Sequence, residues 1–192
     1  MVKRLFDVVL SCIVLLLSGW VIVFFYLLVR LTSGGNGFFL QQRIGRYGNP
    51  FTIFKLRSMA DTPSGKQVTG VGGFLRRSKI DELPQLLNIL KGDMSFVGPR
   101  PDVPGYYDVL TGQDRCLLQL RPGLTGPASI KYANEEELLA MSKDSVYLND
   151  KVIFPDKVRL NLIYYKKQSL WLDVKLLVCT LLRKLPKEFQ DK

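Results

Sequence analysis

Residues 8–29 read VVLSCIVLLLSGWVIVFFYLLV, 22 consecutive positions without a charged side chain. At 1.5 Å per residue, a helix of this length is about 33 Å long and matches the hydrocarbon thickness of a bilayer. The stretch marks residues 1–32 as a membrane-embedded segment and leaves 33–192 for a domain outside the bilayer. A cleaved signal peptide describes it poorly. Such apolar regions are shorter and end at small residues, whereas this one ends in Tyr26, Leu27, Leu28, Val29 and Arg30.

The flanks bear on topology. Lys3 and Arg4 precede the segment, and Arg30, Arg43, Arg46, Lys55 and Arg57 follow it. Basic flanks favour the cytoplasmic side, so both ends ask to be inside. A helix that enters one leaflet, bends and returns meets that demand, and Ser18-Gly19 lies at the midpoint where the bend is needed. Serine can bond a carbonyl one turn back and glycine weakens a helix, which makes the pair a candidate kink. A straight single-pass anchor is the alternative these residues leave open.

Outward from the segment, 32–37 holds three glycines and an asparagine, the composition of a linker. Phe39–Ile44 and Phe51–Leu56 are short aromatic and β-branched runs divided by Gly45, Gly48, Asn49 and Pro50, which predicts a β-hairpin. The remainder reads mostly helical. The expected fold is therefore α+β and mostly helical: a membrane helix, then a small cytoplasmic domain with a short hairpin and amphipathic surface helices. One such helix is expected from Ser169 as cap to about Lys184, with Leu170, Leu176, Leu177, Leu181 and Leu185 interleaved with Lys175, Arg183 and Lys184. It suits either a membrane surface or the domain's own core.

Lysine and arginine number 27 against 17 acidic residues, a formal charge of +10, so an anionic partner is expected. Between Gln41 and Ile80 there are eight basic residues and one acidic residue, Asp61. There is no histidine, which removes histidine bases, triads and metal sites. The three cysteines, Cys12, Cys116 and Cys179, lack CxxC spacing and read as reduced core thiols.

Chemistry concentrates in Arg76–Pro101, RRSKIDELPQLLNILKGDMSFVGPRP. Pro84 is tolerated only in a helix's first turn, so a helix through Leu86, Leu87, Ile89 and Leu90 must start close to Asp81 and Glu82. Its dipole would favour ionised carboxylates, leaving Asp81 an anion able to attack phosphorus or bind a metal. Arg76, Arg77, Lys79 and Arg100 could neutralise a diphosphate, and Arg100 is framed by Pro99 and Pro101.

With these residues in view, the chain resembles the bacterial sugar transferase family, specifically its small monotopic phosphoglycosyl transferases. The resemblance rests on KRLFD (3–7), KLRSM (55–59), DELPQLLNILKGDMSFVGPRP (81–101), RPGLTG (121–126) and PDKVRLNLIYY (155–165), and covers nearly the whole chain. It implies transfer of a phosphosugar from a UDP-sugar to a polyprenol phosphate such as undecaprenyl phosphate, with release of UMP, at the cytoplasmic face of the bacterial inner membrane. It also implies magnesium and a re-entrant helix. Asp81 falls on the family's nucleophile and Glu82 on its partner, which would hold the metal or manage a proton. Asp156 falls where a further metal ligand is expected, and Arg100, Arg76, Lys55, Arg57 and Arg121 where phosphates are held. The chain departs from the family's usual pattern at Ser18-Gly19, where many members have serine-proline, and at Pro127–Tyr132, so the sugar is not carried over. A non-catalytic membrane adaptor binding anionic lipid or glycan-assembly partners is the competing reading. Nucleic acid is not an expected partner, because no nucleic-acid motif accompanies the basic stretch.

Overall fold

The structure is a computed structural model, and it describes residues 1–33, 35–62 and 65–190. The chain divides into two compact units, one of residues 1–43 and 50–94, the other of 44–49 and 95–192.

The first unit is built on α1, Val2–Ser33, a single unbroken helix. It is long and apolar enough to cross a membrane, by length and composition. Ser18 bonds back to the Val14 carbonyl at 2.7 Å, the interaction expected of a serine inside an apolar helix, and the helix continues through Gly19. Both ends of α1 pack within their own unit. Arg4 donates to the carbonyls of Ile89 and Leu90 at 2.5 and 2.7 Å, and Asp7 and Ser11 are fully buried. At the other end Val29 joins Leu56 and Leu75 in a core bordered by Ile22, Phe25, Tyr26, Phe38, Val71 and Ile80. Leu16, Leu17 and Trp20, midway between, are exposed.

The expected hairpin is present as β1, Phe38–Ile44, paired with β2, Pro50–Leu56. A second hairpin, β3 (Met59–Thr62) with β4 (Gly65–Val68), was not legible in the sequence. Then come α2, Gly70–Ser78, capped by the Thr69 hydroxyl on the Gly72 N–H, and α3, Gln85–Lys91, closed by Gly92 in the left-handed conformation. Asn88, fully buried in α3, donates to the Thr52 carbonyl at 2.7 Å and accepts from the Phe54 N–H at 3.1 Å. That pair of bonds fastens α3 to β2.

The second unit has a two-stranded parallel ladder, β5 (Ser95–Val97) with β6 (Gly123–Thr125). It also contains α4 (Pro127–Lys131), α5 (Glu135–Met141), α6 (Ser145–Leu148), a π-turn at Asn149–Ile153 leading into α7 (Phe154–Lys167), and α8 (Leu170–Leu181). Tyr164, fully buried on α7, donates to Asp173 on α8 at 2.5 Å. Ser169 caps α8 as expected, accepting from the Leu172 N–H. The leucines of α8 do not form one stripe. Leu172 and Leu176 are buried, while Trp171, Leu181 and Leu182 are exposed, so the helix is apolar on more than one face. The cysteines correct the expectation of core thiols: Cys12 is exposed and Cys116 and Cys179 are partly exposed, all three free.

Candidate active site

Asp81 and Glu82 lie in a 3-10 turn, Ile80–Glu82, wedged between α2 and α3. The turn is set by Lys79, which takes a left-handed conformation at φ 60° to end α2 and reverse the chain. Leu83 and Pro84 keep helical dihedrals, so the chain runs as one helical path from Ile80 into α3. The expected start of the helix beside the carboxylates is thus observed, with proline in its first turns.

The environment differs from the expectation of a freely ionised pair. Asp81 is only 7% exposed and Glu82 8%. Burial, followed by the charge of Glu82, raises the Asp81 carboxyl above its ordinary value, and Lys55, Lys79 and Arg76 offset part of that rise. The dipole of one short turn does not outweigh desolvation. Glu82 is paired with Lys55, whose Nζ stands 3.3 Å from Oε1. The buried Oδ1 of Asp81 has no hydrogen-bond partner among the described residues. A buried carboxylate oxygen left open beside three cations is an arrangement for a ligand that is both anionic and electrophilic.

Of the candidate phosphate groups in this unit, Lys55 and Arg76 act on Asp81. The Arg57 guanidinium lies against Gly35, 3.1 Å from where a Cβ there would stand.

In the second unit the GPRP and RPGLTG motifs prove to be one object. The Gly98 N–H donates to the Thr125 carbonyl at 2.9 Å, the Gly123 N–H to that of Pro99 at 2.8 Å, and the Ser95 N–H to that of Pro122 at 2.8 Å. A Cβ on Gly98 would collide with the Arg121 carbonyl, and one on Gly126 with the Gly98 carbonyl. The glycines allow two turns to abut backbone to backbone, and those turns carry Arg100 and Arg121.

Asp156, in the first turn of α7, is held on both oxygens. Oδ2 accepts from the Tyr132 hydroxyl at 2.7 Å and lies 2.8 Å from Lys131 Nζ, while Oδ1 accepts from Arg159 Nε at 2.9 Å and lies 2.7 Å from its Nη2. Burial alone would raise this carboxyl, but hydrogen bonds from Lys131, Tyr132 and Arg159 outweigh it and hold it below the ordinary range. The clasp was invisible in the sequence. Lys131 and Tyr132 lie 24 or more positions upstream, and nothing in their spacing announces the meeting.

Magnesium takes oxygen donors, few of them from protein when a diphosphate supplies the rest. The adjoining carboxylates of Asp81 and Glu82, with one buried oxygen open, fit such an ion. Asp156 fits less well, since a metal would have to displace donors already on both its oxygens. Among the described residues no group of three or more acidic, cysteine or histidine side chains comes together.

Comparison with known proteins agrees on one family. The family model described as "Bacterial sugar transferase" matches residues 1–187. An uncharacterized sugar transferase, EpsL, of Bacillus subtilis is 35% identical, covering 97% of this chain and 88% of its own length. A UDP-glucose:undecaprenyl-phosphate glucose-1-phosphate transferase of Caulobacter vibrioides is 37% identical over 93% of this chain and 67% of its own length. The Salmonella typhimurium undecaprenyl-phosphate galactose phosphotransferase is 31% identical, and there the chain spans only 39% of the relative.

Proposed function

Because the chain belongs to the bacterial sugar transferase family, we propose that it is a polyprenol-phosphate phosphoglycosyl transferase that forms a covalent intermediate on Asp81. It moves a phosphosugar from a UDP-sugar to undecaprenyl phosphate and releases UMP. The observation that carries the reading is the buried, open oxygen of Asp81 beside Lys55, Lys79 and Arg76.

Burial makes the carboxylate more basic than a solvated aspartate, hence a better attacking group. The neighbouring cations offset the repulsion between that anion and an incoming diphosphate. Asp81 attacks the sugar-bearing phosphorus: a carboxylate oxygen–phosphorus bond forms, and the diphosphate bridge breaks with its oxygen leaving on UMP. An oxygen of undecaprenyl phosphate then attacks the same phosphorus, expelling Asp81 and giving a polyprenyl diphosphosugar. Neither step consumes an oxidant or a net proton. Magnesium, when bound, would neutralise diphosphate oxygens and the departing UMP, and Glu82 beside Asp81 is the side chain that would hold it. Arg57, Arg100 and Arg121 are further phosphate-binding candidates, and Asp156 serves to fix Lys131 and Arg159.

The membrane segment is read as re-entrant. Both ends of α1 are fastened to one compact unit, by Arg4 on α3 and by Val29 in the core with Leu56 and Leu75, while the exposed apolar residues Leu16, Leu17 and Trp20 lie between. A straight crossing would carry one end away from the unit by the thickness of a bilayer, about 30 Å. The basic flanks favour the cytoplasmic face of the inner membrane for both ends.

The test is incubation of purified protein with magnesium, undecaprenyl phosphate and a panel of UDP-sugars headed by UDP-glucose and UDP-galactose. UMP release that depends on carrier identifies the transferase and its sugar. A stoichiometric burst of UMP without carrier, matched by a phosphosugar mass on the protein, is the expected mark of the intermediate. No UMP with any donor returns the adaptor reading.

A further inference from the structure

Four residues after Asp81, on the same helical path, lies Gln85, the first residue of α3. It is 2% exposed, and its Nε2, buried, has no hydrogen-bond partner among the described residues. Gln85 and Asp81 thus present a donor and an acceptor, both buried and both unsatisfied, on one helical stretch. The Glu82, Leu83, Leu86 and Leu87 N–H groups each bond a carbonyl three residues back, so the path between the two residues is 3-10 in its turns and sets them little more than one turn apart. An unsatisfied buried amide costs about 1–3 kcal/mol, so an isolated one inside a packed turn calls for an explanation. Packing offers none, since a leucine or methionine would fill the same space without the cost. Asp81 Oδ1 and Gln85 Nε2 do not bond each other either, so an acceptor for Gln85 and an electrophilic centre for Asp81 would have to come from a third group.

We infer that Gln85 is a substrate-binding residue whose carboxamide donates to a non-bridging oxygen of the phosphoryl group that Asp81 attacks. The inference rests on the reading of Asp81 as nucleophile. A phosphorus within about 3 Å of the attacking oxygen carries its non-bridging oxygens outward, within reach of a long glutamine side chain little more than one turn along the same path. As the phosphorus becomes five-coordinate, negative charge grows on those oxygens, so a fixed donor there acts more on the transition state than on bound substrate.

The experiment compares wild type, Asp81→Asn, Gln85→Met and Gln85→Glu, using whichever UDP-sugar of the panel gives UMP. Three quantities are read: the rate of phosphosugar adduct formation by intact mass without carrier, donor binding measured in the Asp81→Asn background with and without Gln85→Met, and the melting temperature. Removal of one preorganised donor should slow adduct formation about 100-fold in both Gln85 variants, while donor affinity falls no more than about fivefold. Gln85→Met should melt at or above the wild-type temperature, because an apolar side chain removes an unsatisfied donor. Adduct formation by Gln85→Met within about threefold of wild type, or a melting point lowered by more than about 5 °C, overturns the inference, the latter by making Gln85 structural. Adduct-free turnover by Asp81→Asn removes the nucleophile reading itself and this one with it. A dead Asp81→Asn beside a fully active Gln85→Met removes this one alone.

Discussion

Lys55 Nζ stands 3.3 Å from Glu82 Oε1, the two side chains 18% and 10% exposed, and the same lysine is the first cation acting on Asp81. One residue of β2 therefore balances two acidic neighbours. Lys55→Met should lower donor turnover at least about tenfold, since two buried carboxylates would then face a diphosphate with less compensation. The sign of its pH effect follows from the same contact. Lys55 lowers the Asp81 carboxyl, so its loss raises that carboxyl further and moves the acidic limb of UMP release to higher pH. A pH profile of the burst, measured in both proteins, checks this, and coincident acidic limbs would count against it.

Asp81→Asn should abolish transfer and stabilise the fold. The folded Asp81 carboxyl lies above its unfolded value of 3.8, so its contribution to stability is fully present below that pH and lost as pH rises through the folded value. Near neutrality the ionised side chain is therefore a destabilising element, and the amide removes it. Melting curves should show the variant above wild type at pH 7, with the difference shrinking as pH approaches 4. Stability sacrificed at a reacting group is a common trade in enzymes.

Gly98→Ala should be costly for a residue so far from the carboxylates in sequence. A Cβ there meets the Arg121 carbonyl, so the abutting turns must part. Overpacking of this kind costs about 1–3 kcal/mol, or a fall in melting temperature of several degrees. Gly70→Ala is the control, because nothing stands within 4 Å of its Cβ position. Equal melting temperatures for the two variants would contradict the backbone contact.

Asp156→Asn separates two roles. A metal ligand, on removal, would raise the magnesium concentration needed for half-maximal activity. A carboxylate that fixes Lys131 and Arg159 would, on removal, raise the donor KM and leave the magnesium requirement unchanged. The geometry favours the second outcome, because both oxygens already accept from side chains. Titration of magnesium at saturating donor distinguishes them.

What the sequence made legible were features written in consecutive residues. The apolar run at 8–29, the hairpin between its glycines, the Ser169 cap and the Pro84 helix start each depend on local chemistry, and each is observed. The dyad and the cations Arg76, Lys79 and Lys55 acting on it were legible by motif, and its desolvation was not. Desolvation of Asp81 depends on how α2, α3 and β2 close around it, and β2 is held to α3 by Asn88, a polar residue inside an apolar helical run. That interruption, and the glutamine three residues before it, were the available signals. The Asp156 clasp joins α4 to α7 over more than 20 residues, a distance at which periodicity carries no information. The cysteines depart from the expected burial because frequency of burial is a property of the residue type, whereas Cys12 sits on the outward face of an apolar helix.

Arg4 donates to two carbonyls at the C-terminal end of α3, where a cation is favoured by the helix dipole, and Gly92 closes that helix beside it. Val29, 25 residues on, is 2% exposed in the core of the same unit. If both contacts persist in the membrane, the two ends of the helix share one side. Val2→Cys and Asn36→Cys, each in a background with Cys12, Cys116 and Cys179 changed to serine, should react with an impermeant maleimide from the same face of sealed vesicles. Arg4→Ala should weaken this arrangement, because the carbonyls of Ile89 and Leu90 lose their donor and the N-terminal turn loses its attachment to α3. Labelling of positions 2 and 36 from opposite faces would mean that the Arg4 contact is given up on insertion and that α1 crosses the bilayer as a straight anchor.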